Sequence, residues 1–393
     1  MDSSVALVLS IVVILALITL RLNIGVSIFI GALILGLLTI GFESLIRIIY
    51  IALSLSTMRI VAIVLLALAL GYSMEHFKLL ERLVSSAKNT FDSFSIAILP
   101  ALLGFLPMPG GALISAVMIR DLVEEFNIKP ETATYINYWF RHLWVPIWPL
   151  FPSFIIALAV VEVDYIEIIK ATYPITITSV IAGLYFTRKL KIRFKWNLND
   201  FKVMTFSLYP ILLISFLALF VKLDLLLTLV ISLIILYVHK RPNLKDLGEI
   251  FRNVIDLRFV MLVVAVMSFK SLIEETNAAL EFFNHLNSLN FSVFIASCLL
   301  SFIVGFATGI EMSYSAIALP LLTSFTGVSS NFNPLNFMLV IAFGFFGVML
   351  SPLHLCLVLT AEYYKANLKK TYYYLLTSVL MCITIVLILY FIN

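Results

Sequence analysis

The residues equipped for chemistry in this sequence stand beside prolines and glycines in otherwise apolar stretches. Arg141 and His142 lie in NYWFRHLW, which runs into WVPIWPLFP, where Pro146, Pro149 and Pro152 recur every third residue. GFLPMPGGALIS carries Pro109, Gly110 and Gly111, and TGIEMSYS carries Thr308, Gly309, Glu311, Ser313 and Ser315. GVMLSPLH sets Ser351 and Pro352 just before His354. Such residues suit binding of small charged species. Proline removes helical donors and frees carbonyl oxygens for a cation, while amides opening a helix after Gly110-Gly111 attract an anion.

Each side chain admits a chemical and a structural reading. An arginine at the centre of a membrane helix costs about 2.5–3.5 kcal/mol, so Arg141 either grips an anionic solute or lies nearer the surface against Glu124 or Glu131. Asn137, one turn earlier, offers amide ligands, and His142 shares the position of Arg141. Glu311 holds a cation, carries a coupling proton, or pairs with a base such as Arg141. His354 is a proton carrier, a ligand, or a hydrogen-bonded packing residue. Ser313 or Ser315 caps the arm after the second tip, and Thr308 supplies a hydroxyl. The bland alternative for the glycines is close helix packing. Lys270 and Glu274 are spaced for a local pair, and Cys298, Cys356 and Cys382 read as small buried hydrophobes.

The elements that must position these groups follow from composition. Hydrophobic residues make up 62% of 393 residues and charged residues 12%, and mean hydropathy is +1.10. That places the chain among all-α polytopic membrane proteins. No basic n-region precedes the first apolar run, so it should remain as a helix. Spans are expected near 5–20, 24–41, 58–74, 131–161, 168–187, 203–221, 224–238, 258–280, 335–361 and 372–391, about ten in all. Segments 94–122 and 290–322 are apolar but interrupted at glycine, and read as re-entrant hairpins. Segments 131–161 and 335–361 read as helices broken at proline. RKLKIRFK, HKRPNLK and the lysines after the last break mark the cytoplasmic side, which puts both termini outside.

Two halves align weakly. Arg59-Ile60-Val61 matches Arg258-Phe259-Val260 at an offset of 199 (258 − 59), Gly104-Phe105 matches Gly305-Phe306 at 201 (305 − 104), and Pro149-Leu150 matches Pro352-Leu353 at 203 (352 − 149). Five spans in each half make the second copy inverted: repeat one over 1–190, repeat two over 191–393. Non-helical backbone at membrane depth must line protein or a watery cavity, so tips and breaks are expected to converge on one site.

On PMPGGALIS, NYWFRHLW with its proline series, and GVMLSPLHLCLVLTAEYY, the sequence resembles an uncharacterised prokaryotic integral membrane protein family, domain of unknown function 401. That family is placed in the ion-transporter superfamily with dicarboxylate, citrate, gluconate and arsenite carriers. The resemblance covers nearly the whole chain. It implies a homodimeric elevator-type carrier whose hairpins and broken helices slide against a scaffold drawn largely from 24–74 and 224–280. Sodium-coupled dicarboxylate carriers bear Ser-Asn-Thr at both tips, where this chain has Pro109-Gly110-Gly111 and Ile310-Glu311-Met312, so their sodium sites do not carry over.

The expectation is an ion-coupled secondary transporter of a small, anionic organic or inorganic solute, in the plasma membrane, with Na+ or H+ as coupling ion. No cofactor, resident metal or nucleic acid is expected. A channel or membrane scaffold is the alternative. HExxH, GxSxG and GxGD motifs are absent, against an intramembrane enzyme, and the lack of GxxxxGK[ST] excludes a self-contained ATP-driven pump.

Overall fold

Helices that are apolar all round cannot announce their starts by amphipathic pattern, so polar caps mark them. Asp2, Asn23, Asp164, Asn197, Asp224, Asp256 and Asn333 each accept a backbone N–H from the first turn of the helix that follows. Such caps satisfy donors that have no partner inside the helix. The computed structural model describes residues 1–105, 111–188, 190, 195 and 197–392, with Leu80 and Val84 described by backbone alone. Among the described residues every regular element is helical.

The first half runs α1 (Ser3–Thr19), α2 (Ile24–Thr39), α3 (Glu43–Ala52), α4 (Leu55–His76), α5 (Leu79–Phe91), α6 (Ser95–Leu103), α7 (Gly111–Glu125), α8 (Pro130–Arg141), α9 (Pro152–Val161) and α10 (Tyr165–Thr187). The second runs α11 (Leu198–Ser215), α12 (Leu225–Lys240), α13 (Leu244–Val254), α14 (Leu257–Glu275), α15 (Ala278–Ser288) and α16 (Val293–Thr308). It continues through the short α17 (Glu311–Ser313), a π-helical turn Tyr314–Ala318, α18 (Leu319–Leu321) and α19 (Thr323–Thr326). It closes with α20 (Pro334–Leu350), α21 (Leu355–Tyr364) and α22 (Leu368–Ile392).

Among the described residues five stretches are long and apolar enough to cross a membrane: Leu55–His76, Tyr165–Thr187, Leu198–Phe220, Pro334–Tyr364, which is interrupted between α20 and α21, and Leu368–Ile392. Five shorter apolar helices are Ser3–Thr19, Ile24–Thr39, Pro152–Val161, Leu225–Lys240 and Val293–Thr308. The expected span 258–280 is instead two helices, because Asn277 takes a left-handed conformation and redirects the chain into α15.

Element order recurs between the halves. The amphipathic helices α3 and α5 have counterparts in α13 and α15. Left-handed Lys78 and Asn277 precede α5 and α15, 199 apart (277 − 78), and left-handed Glu162 and Lys365 end α9 and α21, 203 apart (365 − 162). A Cβ on Gly104 would fall 2.2 Å from the Arg141 carbonyl oxygen, and one on Gly305 would fall 2.2 Å from that of Gly344. These paired contacts use the offsets 201 (305 − 104) and 203 (344 − 141) that the sequence alignment suggested.

Packing places α2 between α1 and α14, and α4 against α12, α13 and α14. The interrupted elements pack on one another: α6 on α7 and α8, α16 on α20, and α21 on both α7 and α8. The α9 helix touches α4 and α14. Buried Lys270 of α14 donates to the Ala159 carbonyl at 3.1 Å and pairs with Glu162, while Glu274 stands 3.8 Å away. The anticipated local pair therefore extends across helices.

Candidate functional site

Both breaks are built by proline and closed by side chains. Between α8 and α9 the chain turns through residues 142–151, where Pro146 and Pro149 contribute no N–H. Pro152 begins α9, at a position where its missing donor costs nothing. It therefore restarts a helix rather than breaking one. The Leu143 carbonyl accepts from the Thr176 hydroxyl at 2.9 Å, and the Ala101 carbonyl accepts from the Trp144 indole at 2.7 Å. Between α20 and α21 the break is Ser351 to His354. Ser351 Oγ donates to the Phe306 carbonyl at 2.6 Å, and the Tyr372 hydroxyl donates to the Leu350 carbonyl at 3.0 Å.

Two adjacent residues, Arg141 and His142, each meet a different interrupted segment, Arg141 the α6 and α7 pair and His142 the start of α17. The Arg141 guanidinium donates to the Leu103 carbonyl of α6 at 3.2 Å and covers the Cα of Gly111, where an added Cβ would lie 1.9 Å from Nη2. A side chain at this position would have to displace that guanidinium. Arg141 is 6% exposed, and of the two surface partners considered for it Glu124 pairs instead with Arg120 at 2.8 Å. His142 faces the second hairpin, with Nε2 3.1 Å from Glu311 Oε1. Glu311 therefore contacts His142 rather than Arg141.

The two histidines define the centre of the site. His142 Nδ1 lies 2.6 Å from the Tyr138 carbonyl oxygen, and His354 Nδ1 lies 2.6 Å from that of Gly309. A carbonyl only accepts, so both Nδ1 atoms carry hydrogen. The Nε2 atoms then face each other, 3.2 Å apart. In neutral rings both would present lone pairs, so the arrangement is favourable only with a positive centre at the Nε2 side. Cys356 Sγ completes a group in which the three donor atoms lie within 4.8 Å of one another. Gly309 holds a left-handed φ of +62° and touches the His354 backbone, which seats the second tip directly on the second break.

Other expected ligands serve the frame. Asn137 donates to the Ala112 carbonyl at 2.9 Å and to Thr360 Oγ1 at 3.1 Å, tying α8 to α7 and α21. Its Oδ1 is buried without a partner among the described residues. Thr308 and Ser313 hydroxyls bond each other at 2.6 Å and staple the second tip; the Ile310 amide donates to Thr308, and Ser313 donates to the Ile310 carbonyl. Ser315 lies in the π-helical turn, and its hydroxyl, without a partner among the described residues, lines a cavity of about 10 Å³ with Ser153 and Pro146. Pro109 and Gly110 lie outside the described residues. Pro352 lies in the second break, with Ser351 behind it.

Sequence reasoning missed Cys356, taken with Cys298 and Cys382 as a small hydrophobe. The signal was the spacing His354-x-Cys356 at a helix start, which sets both side chains at one end of α21. Tyr138 was also missed; its hydroxyl donates to the Met349 carbonyl at 3.3 Å and its ring packs edge-on against His142. A comparison with curated proteins finds no match. A family model described as "Protein of unknown function (DUF401)" matches residues 1–392, and the chain belongs to that family.

Proposed function

We propose that this chain is an elevator-type secondary active transporter of a small anionic solute, coupled to a cation. It comprises two inverted-topology repeats, residues 1–190 and 191–393, with about ten spans, and works as a homodimer in the plasma membrane with both termini outside. The observation that carries this reading is the junction at Arg141 and His142. One residue reaches the first hairpin at Leu103 and Gly111, and the next reaches the second at Glu311. Two hairpins and two broken helices meeting around buried charge is the arrangement expected of a carrier's binding site.

Roles follow from chemistry. The start of α7 supplies amides and Arg141 a fixed positive charge, which suits a carboxylate or oxyanion. Glu311, His142 and His354 supply the cation side. The interrupted elements α6 to α9 and α16 to α21 form the moving body, and α2 to α4 with α12 to α14 form the scaffold. Purified protein in liposomes, challenged with carboxylates, sugar acids and oxyanions under imposed ion gradients, tests the proposal. Saturable, gradient-dependent uptake is expected; absence of flux in either direction for the whole panel would overturn it.

A further inference from the structure

We infer that His142, His354 and Cys356, with Glu311 beside them, form a binding site for a divalent transition-metal ion of the zinc class. Each imidazole donates its Nδ1 hydrogen to a backbone carbonyl at 2.6 Å and turns Nε2 inward. That outer bond fixes the tautomer and ring direction in metal-ligating histidines. Two nitrogens bound tetrahedrally to zinc at about 2.0–2.1 Å stand roughly 3.3–3.4 Å apart; here they stand 3.2 Å apart. The Cys356 sulfur lies within 4.8 Å of both nitrogens, and Glu311 Oε1 is 3.1 Å from the His142 nitrogen. The donor group is two nitrogens and one sulfur, with the Glu311 carboxylate beside it. A thiolate with imidazoles selects borderline-soft ions over Mg2+, Ca2+ or Na+, which prefer oxygen.

Charge and connectivity agree with this assignment. On binding, the Cys356 thiol releases its proton to solvent and the sulfur lone pair forms the bond to the ion. A divalent ion with one thiolate bound and the Glu311 carboxylate beside it is then balanced in charge, which lowers the cost of placing it among apolar helices. The donors come from two separate places, the first break (His142) and the second break with the start of α21 (His354 and Cys356), and Glu311 of the second tip stands against His142. An ion held there ties one break to the other. The site stands on geometry alone and goes beyond the transport reading, because a protein that moved no solute would still contain it.

The test is calorimetric titration of purified, tag-free protein with Zn2+, joined to absorption spectra of the Co2+-loaded protein. One equivalent per chain is expected, with thermal stabilisation and a thiolate-to-cobalt charge-transfer band. Cys356→Ser should abolish that band. His354→Ala should weaken binding by more than about 10–100-fold, the range for loss of an outer-shell partner alone. Cys298→Ser, away from the cluster, should bind as wild type. Absence of saturable Zn2+ binding to folded wild-type protein would overturn the proposal and leave the two rings sharing a proton. Unchanged affinity in Cys356→Ser and His354→Ala, or a Co2+ complex without the thiolate band, would overturn it equally. If a variant does not fold, the wild-type cobalt spectrum decides. Uptake in liposomes is read separately, so loss of metal binding and loss of transport are distinguishable.

Discussion

The Arg141 guanidinium rests on the Cα of Gly111, so close that a methyl group there would fall 1.9 Å from its Nη2. The side chain that carries the buried positive charge is thus held by the absence of another side chain. Arg141→Ala should abolish stabilisation by anionic solutes while the protein still folds. A thermal-shift panel of carboxylates and oxyanions checks this; shifts equal to wild type would remove Arg141 from solute recognition.

Gly111→Ala should mimic that loss without touching the charge. The new Cβ displaces the guanidinium from the start of α7, and with it from the Leu103 carbonyl. Anion-dependent shifts should fall nearly as far as in Arg141→Ala. Retained shifts would mean that the arginine finds an equivalent pose.

Gly309→Ala should destabilise the protein even without ligand. Its φ of +62° is a left-handed conformation, and an added Cβ would lie 2.8 Å from the His354 backbone nitrogen. Left-handed strain alone costs about 1–3 kcal/mol, and the backbone contact adds to it. Thermal unfolding should show a lowered Tm, and an unchanged Tm would show that the second tip can lift from the break.

At the surface, Asp246 gives a pH signature separate from the buried site. Its carboxylate accepts the Asn243 amide in a capping box at the start of α13 and contacts His76, with Lys245 nearby. These hold its pKa below the ordinary 3.8, the backbone bond being the largest cause. A depressed carboxylate stabilises the fold above the unfolded pKa, and that contribution is lost as pH falls through the folded value. Asp246→Asn should therefore lower Tm at neutral pH, and the difference from wild type should shrink as pH falls below 3.8. A difference constant across that range would assign the effect to something other than this charge.

The interruptions were legible because proline and glycine act locally: α8 stops before Pro146, α20 before Pro352, and α16 at Gly309 whatever surrounds them. Arg141 and Glu311 stood out because ionisable groups in apolar runs are costly. What joins them was not legible. Glu311 meets His142 rather than Arg141 because α8 presents consecutive residues in different directions, one to each hairpin, and single-position reasoning does not show direction. Cys356 was hidden for a related reason: 212 residues separate His142 from His354 (354 − 142), and a cluster assembled across that distance leaves only His354-x-Cys356 as a local trace. The helix break at Thr276 and Asn277 was missed because an asparagine can take a left-handed turn without any glycine or proline to mark it.

Gly104 and Gly305 let the α6 and α16 arms touch the main chain of α8 and α20 with no side chain interposed. Contact of that kind has no soft layer to shear. If the proposed transport holds, each arm and its broken helix would travel as one carriage, and sliding would fall to the outer walls, where branched side chains can slip past one another.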